Sequence, residues 1–169
     1  MVPDAELQLG VVIKALRDVV APAVDPDNKL ALEQLHLSIA TVGLVQRGLP
    51  LAHARARQEL LNALDLAEAV GAAGCPVETM PAQAALADPA ANETRLDDAR
   101  RAMLIAVEQA VADAAGTERE TAVARAVIRA SKPQCDLARA WSAPAGFEVE
   151  PDALPPLADL LARGSAAAP

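Results

Sequence analysis

The segment Asp27–Leu49 is apolar on two sides, and this limits the fold of the chain more than any other feature. At about 100° per residue, Leu32, Leu35, Ile39, Val42, Val45 and Leu49 form one broad helical face, while Leu30, Leu37 and Leu44 form a stripe nearly opposite. A helix of this kind needs two partners. One is the chain's own core. The other is a second internal layer or another subunit, because a bare leucine stripe is uncommon on a soluble monomer.

Local signals place further helices around it. Leu9, Val12, Ile13, Leu16, Val19 and Val20 share a face over Asp4–Val20, and Pro22 ends that helix. Asp25-Pro26 reads as an N-cap followed by proline in the first turn, and Gly48 and Pro50 close the second helix. A third follows over Leu51–Ala73, with Leu60, Ala63, Leu64, Ala67 and Val70 inward. Gly74–Ala87 is expected to be a break with at most one turn, around Ala82–Leu86. Asp88-Pro89 opens a fourth helix to about Ala115, and a Thr117–Glu120 capping box opens a fifth to about Ser131.

Composition decides the class. Apolar residues make up 53% of the 169, yet Trp141 and Phe147 are the only aromatics and roughly a quarter of the chain is alanine. Alanine is the best helix former, and strands draw on β-branched and aromatic residues that are scarce here. The expected fold is all-α: an antiparallel bundle of four to five helices over residues 1–132, with a proline-rich C-terminal arm over 133–169 packed on the same domain. Trp141 and Phe147 are expected to anchor the arm. Pro155–Arg163 reads as a last helical piece, and Gly164–Pro169 as a loose tail.

Charge excludes several functions. The net charge is −8, spread as −2 over residues 1–50, −3 over 51–89, zero over 90–132 and −3 over 133–169. Without a positive field or an aromatic platform, neither nucleic acid nor an anionic membrane surface is an expected partner. The apolar run Leu7–Val20 is broken by Gly10, Lys14, Arg17 and Asp18, and Met1–Asp4 has no basic start of a signal peptide, so the expectation is a cytoplasmic chain. Cys75 and Cys135 match no zinc or CxxC spacing and read as reduced thiols.

The sharpest chemical candidate is Glu33-Gln34-Leu35-His36, because Glu-x-x-His is the half-site of di-metal carboxylate bundles. Such a centre needs a second copy of the motif and two more inward glutamates. The only other histidine, His53, lies outside any such motif, and in a helical hairpin it sits roughly 10 Å from His36 along the axis. No nucleophile elbow or phosphate-binding glycine loop occurs. The sequence therefore assigns no catalytic residue, cofactor or metal, with Glu33 and His36 as the residual metal candidates. The expected function is a non-catalytic assembly or accessory protein; the alternative is a small-molecule- or metal-binding bundle, with or without enzyme activity. Homodimerisation is expected through Leu30, Leu37 and Leu44, with Ala40 and Gly43 allowing close approach.

Overall fold

The computed structural model describes residues 4–146 and 148–165, and among them every regular element is helical. The all-α class expected from the alanine content is what forms. The chain divides into two compact units. One comprises Met1–Leu51 with Trp141–Pro151, and the other Ala52–Ala140 with Asp152–Pro169.

In the first unit, α1 (Ala5–Ala15) passes through a π-helical turn, Leu16–Val20, into a last turn, α2 (Ala21–Ala23). Helix α3 (Lys29–Gly48) returns antiparallel to it, since the Gln46 side chain donates to the Glu6 carbonyl and Ile13 lies beside Gly43. The expected face of α3 is kept along most of its length and lost at its C-terminal end. Ile39 is buried and Leu32, Leu35 and Val42 are half-buried, with Gly43 buried beside them, whereas Val45 and Leu49 are exposed. The Gln46 bond to Glu6, near the start of α1, marks where the cover from that helix ends.

Burial in this unit is thin. No residue of α1 is buried, and Leu7, Val11, Val12, Val19 and Val20 are all exposed. Leu9, Ile13 and Leu16 are half-buried, so of the six positions read as the inward face Val12, Val19 and Val20 do not serve.

The second unit has a closed core built around α4 (Ala52–Ala72). Against it pack α5 (Met80–Ala87), α6 (Glu93–Ala114) and α7 (Glu120–Ala130), followed by α8 (Lys132–Ser142) and two short C-terminal turns, α9 (Leu157–Leu160) and α10 (Ala162–Ser165). Leu60, Val70, Leu96 and Val123 have almost no exposure. Helices α4 and α7 are antiparallel: Arg119 meets Gly74 at one end and Gln134, just beyond α7, meets Asn62 further along. In contrast, α4 and α6 run the same way, with His53 beside Glu93 and Glu59 beside Arg100. Helix α5 makes this possible by carrying the chain back. It is longer than the single expected turn because Pro81 falls in its first turn, where proline costs no hydrogen bond, and Ala82 and Ala85 bury one side.

Three helix starts differ from the sequence reading, for a shared reason. Asp25 and Asp88 do not cap helices; each accepts from the backbone two residues on, at 2.9 Å. Asn28 and Asn92 then cap α3 and α6 through their side-chain oxygens. Glu120 bonds the Gly116 N–H, not the Thr117 N–H of a capping box, and α7 begins at Glu120 itself. Where two side chains compete for one helix entry, the asparagine nearer the apolar run takes the cap and the aspartate forms the preceding turn.

The arm is also more regular than expected. Pro133 does not end the helical part of the chain, because it lies in the first turn of α8, whose Leu137 is buried. Gly164, expected to open a loose tail, is buried on α4 and donates its N–H to Gln58 Oε1 at 2.9 Å. Ala166–Pro169, the rest of that tail, lie outside the described residues.

Candidate functional site

The sequence candidates fall mainly in the first unit. Glu33 and His36 are both exposed on α3. Among the described residues no three His, Cys, Asp or Glu side chains gather as a metal-binding set. His53 and Glu93 are in the other unit, 3.8 Å apart and half in solvent, and they form a surface pair.

The second stripe is divided. Leu30 is 67% exposed, whereas Leu37 and Leu44 are half-buried. Leu37 and Ala40 border a depression shared with Ala145, in the 3-10 turn Ala143–Ala145 of the arm, and Gly43 is buried with Arg47 Nη1 and Ile13 Cδ1 nearest to where its Cβ would be. The outward face of α3 is thus carried by Leu30, Val45 and Leu49, with Leu37 and Leu44 along its edge.

Trp141 is half-buried with its indole ring against α3, so close that a Cβ on Gly48 would lie 2.6 Å from Cζ2. Phe147, the other residue expected to anchor the arm, lies outside the described residues. Because the ring keeps one side exposed, Trp141→Ala is expected to cost about 1–3 kcal/mol in urea unfolding, below the usual loss for a fully buried large side chain.

Two concave regions went unnoticed in the sequence. The first, in the second unit, is a cleft of about 150 Å³ where the chain turns from α7 into α8 at Ser131. Ala63, Leu66, Leu104 and Ala130 make it apolar. Its polar rim is already paired: Asn62 accepts from Gln58 and donates to Gln134, and Glu59 accepts from Arg55 Nε at 2.8 Å with Arg100 Nε 3.6 Å away. Arg100 also donates to Asp97, and this hydrogen bond holds the Asp97 carboxyl below the usual carboxylate range. The exposed thiol of Cys135 stands at the edge.

The second region, in the first unit, is an open depression floored by Ala40 and Gly43 and edged by Arg17, His36, Arg47 and Pro144. His36, Ala40, Gly43 and Arg47 follow one another at i, i+4, i+7 and i+11 along one side of α3. That spacing was legible in the sequence, but there His36 read as a residual metal candidate and Ala40 and Gly43 as small residues allowing close approach of a second copy. Neither region aligns a nucleophile with a base. No helix among the described residues is long and apolar enough to cross a membrane. Comparison of the chain with known protein families, with curated proteins and with solved structures finds no match.

Proposed function

We propose that this chain is a non-catalytic assembly or accessory protein of the cytoplasm that works through helix surfaces, with a second copy of itself as its first partner. The observation that carries the reading is the uneven distribution of exposed apolar side chains. The second unit closes its own core, while the first leaves five aliphatics of α1 and the π-helical turn after it, and three of α3 and its C-terminal cap, in water. Together these side chains offer several hundred Å² of apolar surface, the same order as the about 800 Å² per partner of a standard interface. A two-fold pairing lets identical chains cover the same patch on each other without a third component.

Light scattering at micromolar concentration tests this. The expected mass is twice 17.4 kDa, falling to 17.4 kDa in Leu30→Glu with helix content unchanged. A wild-type monomer up to about 100 µM would remove the proposal, since an assembly that weak contributes little at cellular concentrations.

A small-molecule-binding bundle is the second reading, favoured by the apolar cleft beside Ser131. Cavities of about 150 Å³ with apolar walls take up benzene-sized molecules. Indole slowing thiol modification of Cys135 would support it, and an unchanged rate at saturating indole would count against it.

A further inference from the structure

From the depression on α3 we infer that the first unit binds a small phosphate-bearing molecule, held by Arg17, His36 and Arg47. In a chain of net charge −8, carboxylates outnumber cations, and they pair with Lys14, Arg55, Arg95, Arg100, Arg101, Lys132 and Arg163. Arg17 and Arg47 make no ion pair among the described residues, and no carboxylate lines the depression they share with His36. Three basic side chains converging without an acid create a local positive potential that an anion can satisfy.

Local geometry supports the same ligand. Arg47 Nη1 lies 3.5 Å from where a Cβ on Gly43 would be, so the guanidinium lies over the bare backbone of the floor and is not extended into solvent. Arg17 is delivered by the π-helical turn Leu16–Val20, a rare distortion that breaks the regular helical register and is frequent at functional sites. The opposite edge is Pro144, in the arm turn that Trp141 pins to Gly48. Guanidinium groups suit phosphate because their planar donors pair with two oxygens at once, and the imidazole adds an N–H donor in either charge state. The depression lies on the side of α3 away from Val45 and Leu30, so its occupancy does not compete with pairing of two copies.

Calorimetric titration with phenyl phosphate, at ionic strength held constant with sodium chloride, reads the site directly. Saturable one-to-one binding is expected. Arg17→Gln and Arg47→Gln should each weaken it about tenfold, the scale of a lost charge-assisted hydrogen bond. Arg125→Gln removes the same charge from an exposed position of the other unit and should leave the affinity within about twofold. All three positions are exposed, so circular dichroism should show unchanged helix content. Benzoate separates phosphate recognition from general anion attraction and should bind clearly more weakly. Absence of saturation at about 10 mM phenyl phosphate, an equal loss in Arg125→Gln, or benzoate binding as well as phenyl phosphate would each overturn the inference.

Discussion

Gly164→Ala is expected to lower the stability of the protein by about 3 kcal/mol, combining the usual overpacking cost with that of an unpaired buried amide. A Cβ at this position would lie 2.2 Å from the Ala54 carbonyl oxygen and 2.8 Å from the Gln58 backbone nitrogen, both in α4. Neither is the end of a flexible side chain, so α10 must lift. Lifting breaks the Gly164 to Gln58 hydrogen bond and loosens Leu161, which is buried. It also disturbs the relay from Gln58 through Asn62 to Gln134 that ties α4 to α8. The neighbouring Arg163–Asp65 pair is about half exposed, and Arg163→Ala should cost under about 1 kcal/mol. Urea unfolding followed by circular dichroism distinguishes the two. A Gly164→Ala midpoint equal to the parent's would show that the C-terminal segment is not held on α4.

The second large effect is expected at Leu60, which has no exposed surface in the middle of α4. Leu60→Ala removes buried methyl groups and leaves a cavity, a change that costs about 3–4 kcal/mol where the surroundings cannot collapse. Alanines make up much of the core it belongs to, and their short side chains cannot swing into the space. Leu30→Ala is the informative contrast. At 67% exposure it should shift monomer stability by at most about 0.5 kcal/mol. If a second copy covers Leu30, the same substitution acts on association and makes the unfolding midpoint depend on protein concentration. Parallel denaturation of both variants at two concentrations resolves this.

The class of the fold and the inward residues of α4 were legible, because alanine content and apolar spacing report directly on helix formation and on which side packs. Several finer features were not. Competition between Asp25 and Asn28, or Asp88 and Asn92, for a helix entry is decided by which side chain reaches the first free N–H, and both orders give similar sequences. Val45 and Leu49 share the apolar spacing of Ile39 but are exposed, and spacing alone does not show how far a partner helix reaches. Gly164 was read as tail because a terminal glycine resembles a flexible one until the α4 backbone is seen against it. The basic depression draws Arg17 from a helix distant in sequence from His36 and Arg47, and the cleft at Ser131 exists only where α4, α6 and the α7–α8 corner meet. Spacing along one helix can suggest half of such a site, never its far wall.

The account rests on a closed second unit and a first unit that leaves its apolar side chains uncovered. Amide hydrogen exchange at low and high protein concentration tests it most directly, because exchange reads the stability of each helix separately. The expected result is strong, concentration-independent protection at Leu60, Val70, Leu96 and Val107, with α1 and α3 exchanging readily in dilute protein and becoming protected as copies pair. Equal protection in both units, unchanged by concentration, would contradict it.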